Sequence, residues 1–269
     1  MKTKTTNTSK AQEQYVKNIK RKAMLIRLYQ ITLLIIFLAT WELTARYDII
    51  NDFIFCSPSK LYATFIAMLR DGSLLRHIGV TLFETIIGFA IVIIGSLIIA
   101  TLFWWNETLS KVMEPYLVML NALPKSALAP VLIVWLGSNK TTIIVCACSV
   151  AIFGSILNIY TGFVNVEPDK IKLIKTLGGN RFQCLRLVVI PSNIPNILSI
   201  MKVNIGLCLV GVVIGEFLAA REGLGYVIIY GSQTFKMGNV LLSILILCAI
   251  AMILYLILEK IEKKLSDYF

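Results

Sequence analysis

Charge is the scarcest property of this 269-residue chain. Only 15% of its residues are charged, whereas 57% are hydrophobic and the mean hydropathy is +0.80. That balance excludes an ordinary water-soluble fold. Histidine is almost missing: His77 stands alone, which leaves no basis for a metal cage. The six cysteines (Cys56, Cys146, Cys148, Cys184, Cys208 and Cys248) imply no disulfide framework. A helix turns Cys146 and Cys148 about 200° apart, so one ligand site cannot use both. There is no phosphate loop of the G-x-x-x-x-G-K-[ST] type. The run GSNKTT at Gly137 to Thr142 has a Lys-Thr pair but places Asn139 before the lysine, and it reads as a tight turn between helices. Neither a G-x-S-x-G elbow nor an H-E-x-x-H helix nor a paired-carboxylate site is present. An intramembrane enzyme would need a charged constellation that this sequence does not show, and no bound metal or cofactor is expected.

What is abundant is hydrocarbon. A bilayer core of about 30 Å takes roughly 20 helical residues to cross. Six segments of that order occur: Met24 to Leu43, Leu82 to Phe103, Tyr116 to Leu136, Thr142 to Phe163, Ile197 to Leu218 and Val240 to Leu258. Each is apolar all round rather than alternating, which predicts an all-α integral membrane protein and not a barrel.

The net charge of +11 does not point to nucleic acid, because its distribution follows the positive-inside rule. With the N-terminus inside, seventeen basic residues collect on the cytoplasmic side, among them Lys17, Arg21, Lys22, Lys111, Lys170, Lys172, Lys175, Arg181, Arg186, Lys260 and Lys263. Seven fall outside, and Lys125 and Lys202 lie within helices. Both termini are therefore expected in the cytoplasm. The first apolar run is long and has no small-residue cleavage site, so it reads as a retained anchor. Residues 1–22 form a polar, basic tail suited to the anionic leaflet, and 23–269 form the transmembrane domain, with its core at about 80–262.

Between the first two segments, Tyr47 to Gly79 is the only sizeable outer region. Its PSKLYATFIAMLRDG predicts a short amphipathic helix, with Ser57 as cap, Pro58 in the first turn, and Leu61, Phe65, Met68 and Leu69 on one face. It is too short to be a solute-capturing domain.

The cytoplasmic stretch from Asp169 to Pro195 is the most heavily punctuated in the chain. In DKIKLIKTL, Ile171, Ile174 and Leu177 fall at helical spacing while Lys170, Lys172 and Lys175 point elsewhere. Gly178-Gly179 can stop that helix through a left-handed residue. Asn180 then caps a second run, RFQCLRLVVI, expected to end before Pro191 and Pro195. Two short helices meeting at a glycine bend make a rigid elbow suited to a groove in a cytoplasmic partner.

This arrangement resembles the EAA loop of permease subunits of binding-protein-dependent ABC importers. Gly178 matches that loop's glycine and Pro191 its proline, while Lys172, Leu173 and Ile174 stand at the Glu-Ala-Ala positions. NALPKSALAPVLIVWLG (Asn121 to Gly137), GEFLAAREGLGYVI (Gly215 to Ile228) and SPSKLYATF are similar to the nitrate, sulfonate and taurine group, which also includes transporters of thiamine pyrimidine precursors. The resemblance implies a type I importer permease fold in the prokaryotic cytoplasmic membrane. It also implies a second permease copy and an extracytoplasmic solute-binding protein. Two ATP-binding subunits holding ATP and Mg would dock on the loop at about 167–191, through Lys172, Leu173, Ile174, Lys175, Thr176, Leu177, Gly178, Gly179, Arg181 and Pro191.

Polar groups within the apolar segments are candidates for a solute path, because hydrocarbon does not solvate them. On the fifth segment, Gly211, Gly215 and Ala219 recur every four residues as a stripe for close helix packing. Lys202 lies roughly opposite that stripe and Glu216 about 100° from its centre, where both could face a cavity. Lys125, beside Pro124 and Pro130, is a comparable candidate, and Asn121 and Asn204 add polar groups. The alternative is that Lys125 reaches an interface and Glu216 ends its helix in water. Glu42 and Glu84 are expected to be interfacial, and Trp104 and Trp105 to close the second segment as an aromatic belt. An ion-coupled secondary transporter or a structural membrane subunit would also fit six apolar helices. The first would call for an inverted repeat and intramembrane carboxylates, and the second leaves the elbow unexplained.

Overall fold

The computed structural model describes residues 10–47 and 55–266. The start of the basic tail, including Lys2 and Lys4, and positions 48–54 of the outer region lie outside the described residues. Every regular element among the described residues is helical. The chain divides into two compact units, Met1–Ala63 and Thr64–Phe269.

The first unit is dominated by α1 (Lys10–Arg46), whose apolar side chains are exposed all round, Leu33 at 72% and Ile35 at 61%. A helix with so little of itself buried in protein is a membrane anchor. It starts well before Met24, because the polar residues ahead of the apolar run continue the same helix. At its other end Glu42 accepts hydrogen bonds from Arg46 Nε at 3.0 Å, from the Ser59 amide at 3.1 Å and from the Ser59 hydroxyl. The predicted amphipathic helix is α2 (Pro58–Arg70), with Leu61 and Met68 buried. Gly72, at φ 74°, turns the chain. There Ser73 hydrogen bonds hold Asp71 below the usual carboxylate range.

In the second unit, α3 (Ser73–Trp105) runs nine residues longer at its start than the apolar segment implied. Next come α4 (Glu107–Ala122) and α5 (Lys125–Leu136), which meet at 97°. The continuous helix expected over Tyr116 to Leu136 is thus a broken pair. Pro124 has no amide to donate and disfavours helical backbone in the residue before it, so the helix stops and restarts there. Asn139 caps α6 (Lys140–Val164), accepting from the Thr142 amide at 3.1 Å. The elbow contains α7 (Pro168–Thr176) and α8 (Arg181–Cys184).

The run from Arg181 does not end before Pro191 and Pro195. It passes through a π turn at Leu185–Val189 into α9 (Ile190–Ala219), making 39 helical residues with both prolines inside. In the π turn the Ile190 amide reaches back five residues to Leu185 O. This wider register supplies the local adjustment that lets a membrane helix carry proline. A short helix the apolar segments did not announce, α10 (Leu224–Gln233), precedes the last one, α11 (Met237–Ser266).

Among the described residues five helices are long and apolar enough to cross a bilayer, or six if the bent α4/α5 pair is one span. The core is built on α6, which packs against both α3 and α9. Close approach explains the small residues: a Cβ on Gly211 would stand 2.6 Å from Ala147 Cα, and one on Gly215 3.0 Å from Ile143 Cα. Toward the elbow, Ala100, Ile159, Phe163, Leu185 and Val189 form one buried cluster, which ties the π turn to α3 and α6.

Candidate functional site

Three groups of polar or strained residues stand out from the hydrocarbon. The first is the elbow. α7 closes with a pair of hydrogen bonds, Gly179 N to Ile174 O at 2.8 Å and Gly178 N to Lys175 O at 3.0 Å, around Gly178 at φ +80°. That is a Schellman cap, in which the left-handed residue has to do without a Cβ. One residue later Asn180 and Gln183 form a reciprocal capping box, Asn180 Oδ1 accepting from the Gln183 amide at 2.8 Å and Gln183 Oε1 from the Asn180 amide at 2.7 Å. Stop and restart are therefore both fixed by local hydrogen bonds.

Around this bend the apolar side chains turn outward: Leu173 is 60% exposed, Leu177 75%, Phe182 54% and Leu187 60%. The lysines are solvated; Lys172 pairs with Asp169 at 3.1 Å and Lys170 with Glu167 at 3.3 Å. Arg181 lies over Trp104 and Trp105, its guanidinium 5.4 and 5.6 Å from the ring centroids, and donates to Trp104 O at 3.0 Å. The paired tryptophans at the end of α3 therefore hold the elbow's second helix in place.

The second group is amide-rich and lies along α6 and α9. A cleft of about 540 Å³ beside the elbow is lined by Asn158, Asn165, Ser192, Asn193 and Asn196 among others. A smaller cavity of about 150 Å³ shares Asn158 and Ile200 with it and adds Asn121, Ser199 and Asn204. Asn204 donates to Ser155 Oγ at 2.9 Å, and Ser155 in turn to Ser96 Oγ at 2.9 Å. Of the residues put forward for a path, Asn121 and Asn204 come together here.

The others do not join them. Lys202 lines a separate, apolar groove of about 490 Å³ against α11 and pairs with Glu262 at 2.6 Å. Lys125 donates to the Leu120 carbonyl, with its ammonium 5.0 Å from the Phe153 ring centroid. Glu216 lines none of these cavities and does not end its helix in water, being 1% exposed. Asn158, Asn165 and Asn196 were missed, although amides at helical spacing in apolar helices are a legible signal.

The third group surrounds Glu216 near the start of α3. Its Oε1 accepts from the Thr81 hydroxyl at 2.7 Å and its Oε2 from the Gly225 amide at 2.6 Å. Thr81 Oγ1 also accepts from the Leu224 amide at 2.9 Å, and His77 Nδ1 from the Gly223 amide at 3.0 Å. The open N-terminal amides of α10 are thus satisfied by side chains from α3 and α9, with a carboxyl group at the positive end of the helix. Glu84, expected at an interface, is instead fully buried, with its carboxyl group beside that of Glu216. Counting residues from the helix end placed it too shallow, because α3 begins at Ser73.

Taken together, the long apolar helices, a doubly capped elbow and an amide-lined cleft define a polytopic membrane subunit. The family described as binding-protein-dependent transport system inner membrane component matches residues 91–267, and the chain belongs to it. It is an ABC importer permease and fits the nitrate, sulfonate and taurine-like branch. The formylaminopyrimidine transport permease protein ThiX of Halalkalibacterium halodurans is 27% identical over 228 residues, 85% of this chain and 90% of that protein. The putative aliphatic sulfonates transport permease protein SsuC of Bacillus subtilis is 23% identical over 233 residues, 87% of this chain and 84% of that protein. The fold is similar to a chain of the inward-facing MetNI methionine ABC transporter, with TM-score 0.63 and 15% identity over 72% of this chain and 97% of that one.

Proposed function

We propose that this permease couples to a separate ATP-binding subunit through the elbow at 167–191, and that the hydrolytic chemistry belongs wholly to that partner. The carrying observation is the exposed apolar ridge of Leu173, Leu177 and Phe182 around the Schellman cap at Gly178. Exposed leucines on a short, rigid, doubly capped turn facing the cytoplasm favour burial in a groove. Lys172, Leu173 and Ile174 would meet the groove where relatives carry Glu-Ala-Ala; Lys175, Thr176 and Gly179 belong to the same bend, and Pro191 begins the span that carries motion inward. Arg181 acts from behind, through Trp104 and Trp105.

In this reading two copies of the permease pair in the membrane, both termini lie in the cytoplasm, and residues 1–22 rest against anionic lipid. An extracytoplasmic binding protein delivers the solute, of the nitrate, sulfonate, taurine or thiamine pyrimidine precursor kind. ATP closes the partner subunits and draws the elbows together.

Copurification from extracted membranes tests the docking. The tagged wild type is expected to bring down an ATPase, and a double variant with Gly178→Val and Leu177→Asp is not. Recovery of ATPase with both would remove the elbow from the contact.

A further inference from the structure

The path residues first suggested by charge leave a different wall in place. Asn158 on α6 and Asn165, the residue that follows its last turn, are seven residues apart; on α9, Ser192, Asn196 and Ser199 follow at four and three. Such spacings put each set on one helix face. These five side chains and Asn121 are exposed, and among the described residues none of the six makes a side-chain hydrogen bond. They belong to elements that cross the membrane or reach its edge. Asn158 stands about 9 Å and Ser199 about 14 Å from the cytoplasmic ends of their helices, at 1.5 Å rise per residue. Hydrocarbon satisfies neither amides nor hydroxyls, so this face is turned to water or solute.

The wall carries no net charge. Its two ionic groups, Glu167 and Lys170 at the mouth, pair with each other at 3.3 Å. The two intramembrane lysines are committed elsewhere, Lys202 to Glu262 and Lys125 to a backbone carbonyl. Asparagine side chains offer donors and acceptors together, which matches a solute that presents both.

We propose that the stripe of Asn121, Asn158, Asn165, Ser192, Asn196 and Ser199 is the solute-facing wall, and that it passes neutral, hydrogen-bonding solutes such as an amide or nitrogen heterocycle in preference to a simple anion. The inference rests on the permease reading above and narrows its solute class.

The test uses single cysteines at Asn158, Asn196 and Ser199 in the full chain, with the native cysteines replaced, in isolated membranes. Neutral, cationic and anionic thiol reagents of similar size are applied. Rates are normalised for each reagent to Lys111→Cys, exposed on α4 and outside the docking elbow. Ile94→Cys and Ile98→Cys, on the outward apolar face of α3, serve as lipid-facing controls. All three wall positions are expected to react with the neutral reagent at least about tenfold faster than those controls, and with either charged reagent at least about tenfold more slowly than with the neutral one. No reaction at the wall in membranes where Lys111→Cys reacts would overturn the wall itself and leave the docking reading standing. Anionic labelling as fast as neutral labelling would keep the wall and overturn the solute class.

Discussion

The two ends of the transmembrane unit handle backbone polarity in opposite ways. Near the start of α3 the open amides of a short helix are satisfied at a distance, by the buried Thr81 and Glu216 and the half-buried His77 from other helices. At the elbow the open groups are satisfied locally, by the Schellman cap and the Asn180–Gln183 box, and the apolar side chains are left exposed. The first arrangement locks elements together, while the second makes a self-sufficient turn that leaves its apolar surface uncovered, as the proposed docking requires. Changes at the first end should therefore act on stability, and changes at the second on partnership.

The sharpest way to break this contrast is Glu216→Ala. It leaves the Thr81 hydroxyl and the Gly225 amide buried without their acceptor, and unmet groups cost about 1–3 kcal/mol each. Thermal unfolding of the extracted protein should show a loss on the order of 3 kcal/mol, with ATPase recovery falling only as folded protein falls. Gly211→Val comes next. Its Cβ would meet the α6 backbone, and overpacking should cost about 1–3 kcal/mol by the same measurement. A Gly178→Val change should cost a comparable or smaller amount, about 1–3 kcal/mol of left-handed strain, yet lower ATPase recovery far more than folded yield. An equal fall in both would collapse the distinction between the two ends.

Smaller effects sharpen it. Removing the guanidinium in Arg181→Ala should cost about 0.5–1 kcal/mol and alter the fluorescence of Trp104 and Trp105, while weakening docking through a looser α8. Last, and opposite in sign, is Glu84→Gln. An amide there can donate to the neighbouring Glu216, so a slight rise in thermal stability, about 0.5–1.5 kcal/mol, is expected. A fall would mean that the acid group itself is needed at that position.

Legibility followed the range of the interaction. The elbow could be read closely, since Gly178, Asn180 and Gln183 act within a few residues of one another. The two-residue stop before Lys125 was half visible: its prolines signalled irregularity, but not a 97° bend. Pro191 and Pro195 misled, because a local rule ends a helix before proline whereas the π turn, packed on Ile159 and Phe163, carries it onward. The short α10 escaped notice because its start is capped from α3 and α9, more than a hundred residues away in the case of Thr81.

By itself, the sequence determined the solvent, the element type and the capped turn. Twenty apolar residues without charge can satisfy their amides in a bilayer only as helix, and a glycine before an asparagine cap needs nothing distant. Only the tertiary structure decided which polar groups meet. Glu216 became a buried cap, Lys202 an ion-pair partner of Glu262, and the plain asparagines of α6 and α9 the lining of two adjoining cavities. The reason is geometric. A helix fixes the angle at which each side chain leaves its own axis, but whether that direction meets hydrocarbon, a carboxylate or an open cleft depends on how neighbouring helices pack.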